Sequence, residues 1–258
     1  MKIFLNILVS DIKRTIFSFR FLVAVVGFIV VTFVTMFQEI SYLQVGVTSV
    51  LYIDHIIRYL DFHILYLIFA GIPGTLLFCS DWDNRFFRFA VVRCSKKKYA
   101  ASKVLACFIS AVFVVILSEA LTLFLFNLRF PVYDPHVGGL GVFSSLDSAN
   151  GIVIYFAIKI LCEAFCAGFL SVFALWFSTK IVNAFVAIST PLLALISTLS
   201  FAFKLPSIFN ISSLSKGYVT ILENPNLSFW YTILLFGIAT MIFGLLFTNS
   251  CTRRIQNG

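Results

Sequence analysis

Six long apolar stretches, at about 21–38, 62–79, 104–126, 152–178, 181–203 and 229–248, govern what this chain can fold into. About 20 apolar residues in a helix cover a hydrocarbon core of roughly 30 Å. The runs are continuous rather than alternating, so they predict helices and not the strands of a barrel. Composition agrees. Of 258 residues 60% are hydrophobic and 12% charged, with mean hydropathy +1.02, whereas a soluble domain runs near 45–50% apolar and about 25% charged. The 32 Phe residues suit lipid-facing and helix-packing surfaces. An ordinary water-soluble enzyme is excluded. The sequence predicts an all-α integral membrane protein, one transmembrane unit over residues 1–258 with six spans. No small-residue cleavage site follows Phe37, so the first run is expected to be a retained span and not a signal peptide.

Lys and Arg favour the cytoplasmic side of such proteins, and here they are unevenly shared. The N-terminus, the 80–103 loop, Lys180, Arg253 and Arg254 carry fourteen, against four for Arg58, Arg129, Lys204 and Lys216. Both termini are therefore expected to be cytoplasmic in a multi-pass protein of a bacterial plasma membrane. The net charge of +8 does not point to nucleic acid, because the basic residues collect between apolar runs.

In residues 1–20, Phe4, Leu5, Leu8, Val9, Ile12, Ile16 and Phe19 share one helical face, with Lys2, Asn6, Lys13 and Arg20 on another. That pattern predicts an amphipathic helix lying on membrane lipid ahead of the first span. In 48–61, Val50, Ile53, Ile57 and Leu60 recur at helical spacing beside Asp54, Arg58 and Asp61, which predicts a short external helix. Residues 204–228, with Pro206, Gly217 and Pro225, suit a re-entrant or external helical hairpin before the last span. Pro73 and Pro191 are expected to kink the second and fifth spans. Cys162 and Cys166, one turn apart in an apolar run, are expected as small packing residues, and no disulfide framework is implied.

The loop at 80–103 joins an acidic start to an aromatic and basic middle and a lysine cluster, interleaving Trp82, Phe86, Phe87, Phe89 and Tyr99 with Arg85, Arg88, Arg93 and Lys96 to Lys98. A loop that only sets topology needs the charge and not the rings. Aromatic and Arg mixtures serve docking surfaces; the competing reading is a helix held on anionic lipid by its lysines.

The order of residues in this loop resembles that of membrane-spanning permease subunits of the ABC type-2 exporter superfamily. These carry an acidic pair, a turn, an apolar stretch, a basic segment and a Lys entering the third span. The matching positions are Asp81 and Asp83, Asn84 to Arg88, then Arg93, Ser95, Lys97, Tyr99 and Lys103, with Arg85 near the place of the usual glycine. The amphipathic N-terminus, six spans and irregular segment before the last span are similar too. The resemblance implies a coupling helix that docks on separate ATPase subunits through Asp81, Asp83, Phe87, Arg88, Arg93 and Tyr99. It also implies a second permease copy or paralogue, with ATP and Mg bound by the ATPase partner and no cofactor in this chain.

A Gly-x-x-x-x-Gly-Lys phosphate loop is absent, since no glycine here precedes a lysine. The chain is accordingly not expected to be an enzyme. His55, His63 and His136 are expected as solvated interface residues, with Asp54-His55 and Asp134-Pro135-His136 as weak metal-binding alternatives. Glu119, Lys159 and Glu163 fall inside spans, where ionisable groups usually face an interior or cavity. Lys159 and Glu163 are spaced to pair on one face, and Glu119 stands at a similar depth, roughly 10–12 Å at 1.5 Å per residue. This predicts a polar cluster that either lines a path or gate, or ties two helices together. The function expected is the translocation path of an exporter for a hydrophobic or amphipathic substrate, a lipid or an antimicrobial peptide. An ATP-independent secondary transporter or bacteriocin-immunity protein is the alternative.

Overall fold

The computed structural model describes residues 2–37, 49–59, 63–134, 143, 146, 151–200, 210–216 and 224–257. Its regular elements are all helical: α1 (Lys2–Ile16), α2 (Phe19–Thr35), α3 (Val50–Tyr59), α4 (His63–Asp83), α5 (Phe86–Arg93), α6 (Lys96–Asn127), α7 (Ile152–Ser178), α8 (Ala184–Ser200), α9 (Ile211–Lys216) and α10 (Pro225–Asn257). Among the described residues α6, α7 and most of α10 are each long and apolar enough to cross a membrane. The bent pair α1–α2, which meets at 51°, makes a fourth candidate. The bend has a local cause, because Ser18 caps α2 by accepting from the Phe21 N–H at 3.2 Å.

Helix α7 is the hub. It packs against α4, α6, α8, α9 and α10, and 61% of its most apolar window is buried, against 44% for α6 and 22% for α10. Its buried side carries Ala164, Ala167, Gly168, Ser171 and Ala174, small residues that let neighbouring helices approach closely in lipid. Helix α10 instead turns Leu234, Ile238, Met241 and Leu245 outward, and α2 does the same with Val26, Val30 and Val34. Apolar faces of that extent are a liability in water and ordinary in a bilayer. The molecule is a membrane protein.

Pro73 and Pro191 both lie inside continuous helices. The predicted third span grows from 104–126 to Lys96–Asn127, so that Tyr99 and Lys103 become helical. Most of the 204–228 hairpin lies outside the described residues, apart from α9 and the start of α10. All six cysteines are buried and free.

Candidate functional site

Two groups of polar side chains are built into the apolar bundle, one at each end. The first joins α1, α4 and α6. Lys103 is fully buried, and its Nζ lies 2.6 Å from both Asp11 Oδ1 and Asp81 Oδ2. Asp81 also accepts from Arg14 Nη2 at 2.7 Å and from the Tyr99 hydroxyl at 2.9 Å, while Ser102 donates to Asp11 Oδ2 at 2.6 Å. Two carboxylates and two cations make a neutral set. Each member of such a set is costly to bury alone and tolerable together. Asp11 is 3% exposed: α1 buries the side carrying Asp11 and Thr15, while Leu5 and Val9 of its apolar face remain about half exposed.

This clasp positions α5. The chain leaves α4 at Asp83, turns through Asn84 and Arg85, and enters α5 at Phe86. Arg85 is the one non-glycine residue with positive φ among the described residues, at φ 55° and ψ 18°. It occupies the left-handed conformation that glycine adopts without strain. The inner face of α5 is fixed by Phe87, whose ring stacks on Trp82 at 4.6 Å and 9°. Trp82 in turn lies 4.9 Å from the Arg254 guanidinium, which caps the end of α7 by donating to the Thr179 and Lys180 carbonyls. The outer face is open, with Phe86 44%, Phe89 70% and Val92 88% exposed. A groove of about 570 Å³ runs between α5 and α1, lined by Ile3, Ile7, Ser10, Phe86 and Phe89 among others.

Of the residues expected to dock a partner, Asp83 and Arg88 are exposed. Asp81 and Tyr99 are fully buried within the clasp, and Phe87 is 7% exposed beneath Trp82. The Arg93 side chain lies outside the described residues. Beyond α5, Cys94 is nearly buried; burial pushes its thiol above the ordinary cysteine range, with the nearby Lys98 charge opposing the shift. Lys96, Lys97 and Lys98 then open α6, capped by Ser95. Cations at a helix N-terminus work against its dipole, so helix stability is not what this cluster serves.

The second group lies at the opposite end. Lys159 is 1% exposed and its Nζ stands 3.2 Å from Asp54 Oδ2. It also donates to the Tyr155 hydroxyl and lies 4.2 Å from that ring's centroid. Tyr155 shares a hydrogen bond of 2.9 Å with His55 Nε2. Glu119 and Glu163 are 7% and 0% exposed. The expected trio is thus buried, and α3 supplies Lys159 with an ion-pair partner that spacing along one helix does not reveal. Asp54 and His55 are each 4% exposed, which corrects the expectation of solvated interface residues. Asp54 stands four residues after Val50 and three before Ile57, on the side of α3 that its apolar residues bury. Among the described residues no set of three or more His, Cys, Asp or Glu converges as a metal site.

The chain matches no known protein-family profile, no curated protein and no solved structure.

Proposed function

We propose that this chain is the membrane subunit of an ATP-driven ABC-type exporter, with six crossings, both termini cytoplasmic, and ATP and Mg bound by a separate ATPase subunit that docks on α5. The crossings are α2, α4, α6, α7, α8 and α10. The shortest, α2 and α8, have 17 residues each, which cover about 26 Å at 1.5 Å per residue, at the lower limit for a span.

One observation carries the reading. A short helix stands at the foot of the 32-residue α6, bolted to the bundle on its inner side and bare on its outer side. Phe86, Phe89 and Val92 beside Arg88 form the anchor-and-charge combination on which protein interfaces rely. Asp83, Arg88 and Arg93 are the charged docking residues of this scheme. Asp81, Phe87 and Tyr99 act through them, by holding α5 in place. A load applied to α5 passes into α6 directly, and through Trp82 and Arg254 into α7 and α10. The polar residues Glu119, Lys159 and Glu163 belong to the path of a hydrophobic or amphipathic substrate, a lipid or peptide. A second permease copy covers part of the apolar surface and membrane lipid the rest, in a bacterial plasma membrane.

The test is purification of the tagged full chain from its native membrane, with a photoreactive ATP analogue to identify a co-purifying ATPase. Phe89→Asp and Val92→Asp are expected to cut recovery of that subunit about tenfold or more, as loss of interface anchors does, with thermal stability unchanged. Wild-type particles containing no ATP-binding subunit overturn the proposal and leave an ATP-independent transporter or immunity protein in its place.

A further inference from the structure

We infer that the elbow between α1 and α2 binds one anionic phospholipid, its acyl chain in an apolar notch and its headgroup met by Lys13 and Arg20. The site lies on the outside of the bundle and does not depend on an ATPase partner. The two helices meet at 51°. Their bend leaves a notch of about 510 Å³ against α6, lined by Ile16, Phe17, Leu22, Val25, Val26 and Leu117 among others, within the range of ligand clefts, about 300–1,000 Å³. The polar side chain in its wall, Ser18, is already engaged: its hydroxyl donates to the Thr15 carbonyl at 2.7 Å and accepts from the Phe21 N–H. Phe17, Phe19, Leu22, Val26 and Leu117 are exposed, so the notch opens outward.

Charge distinguishes this notch from plain lipid-facing surface. Lys13 stands one turn before Ile16 and Phe17 on α1, and Arg20 is the only charged residue of α2. Both are exposed, and neither makes an ion pair or side-chain hydrogen bond among the described residues. Asp11 of α1 and Asp81 of α4 do not balance them, since both carboxylates are buried and taken by Lys103 and Arg14. Basic residues this close to lipid-facing helices are costly without an anionic partner. Their long apolar stems let the charged ends extend to a headgroup.

Depth fixes the kind of occupant. Asp11, two residues before Lys13, meets Ser102 and Lys103 of α6, and Leu117 lies fourteen residues beyond Lys103 on that helix. At 1.5 Å per residue this is about 21 Å, half of a bilayer of roughly 40–45 Å with its headgroups. Cations at one end, and an apolar notch leading away from them over the depth of one leaflet, match a phospholipid standing upright. A second copy of the chain would bring the same cations to the contact, where like charges repel. Filling the angle between the helices, the lipid braces the bend that Ser18 sets.

The test is native mass spectrometry of the delipidated full chain in detergent, titrated with phosphatidylglycerol or with phosphatidylcholine of identical acyl chains. The wild type is expected to hold one phosphatidylglycerol at least about tenfold more tightly than phosphatidylcholine, since two basic contacts tell them apart. Lys13→Gln combined with Arg20→Gln is expected to bring the two lipids within about twofold of each other. Val26→Trp fills the notch without changing charge, and is expected to weaken both lipids about tenfold by denying the chain its apolar seat. Lys180→Gln, at the end of α7, is the control and is expected to change the preference by less than about twofold. Equal retention of the two lipids by the wild type overturns the inference without any variant. So does a loss of preference in Lys180→Gln as large as in the double variant, or wild-type binding by Val26→Trp. A dimer that Val26→Trp dissociates puts a second copy in the notch and overturns it as well.

Discussion

Arg85 holds a left-handed conformation at the only turn between α4 and α5. An L-residue with a side chain meets strain there that glycine avoids. Arg85→Gly is expected to stabilise the protein by about 1 kcal/mol, while Arg85→Ile, β-branched, destabilises it by more than that. Thermal unfolding in detergent followed by tryptophan fluorescence checks both signs. The residue also illustrates what was legible in the sequence. Its place at a turn follows from the order of acidic and aromatic residues around it, and its backbone angle does not. The same holds for Asp11. A helical wheel displays the lipid-facing side of α1 clearly, yet a single acidic residue among apolar ones gives no sign of being buried unless its partner is known. That partner, Lys103, lies 92 residues away.

At the scale of elements, glycines separate close packing from open surface. A Cβ built on Gly74 of α4 falls 2.8 Å from the Cys107 Cα and 2.8 Å from Ser110 Oγ on α6, whereas one on Gly237 of α10 meets nothing within 4 Å. Gly74→Ala is expected to cost about 1–3 kcal/mol by forcing the two helices apart. Gly237→Ala is expected to gain up to about 1 kcal/mol through helix propensity. Melting temperatures of the two variants, measured side by side, decide the matter. Sequence reasoning located these helices well, because unbroken apolar runs survive any detail of packing. It shortened α6, since lysines near a span resemble a loop when their charges are not known to be paired. It also missed the inward turn of Asp54 and His55. Their partners, Tyr155 and Lys159, lie 100 and 105 residues on, and no local periodicity encodes a contact between separate helices.

For the whole molecule the decisive feature is that α1, α4 and α6 meet at one amine. Lys103→Met leaves Asp11 and Asp81 buried with Arg14 alone to balance them, and is expected to cost about 3–5 kcal/mol, the usual penalty for breaking a buried pair. Combining it with Asp11→Leu is expected to return part of that loss, because one uncompensated charge leaves with its partner. Thermal stability of the single and double variants, together with protease sensitivity of residues 2–16, reads both the energy and the release of α1. The exposed row on α5 depends on the same bundle, so this variant also separates a damaged scaffold from a damaged surface.

The clasp imposes a schedule on biosynthesis. Asp11 emerges from the ribosome early and Asp81 well after it, yet neither acquires its lysine until translation has passed residue 103. Up to that moment both carboxylates of the nascent polypeptide are better hydrated than enclosed. The N-terminal helix therefore reaches its final seat only after the polypeptide has been made beyond residue 103, once the start of α6 is there to receive it.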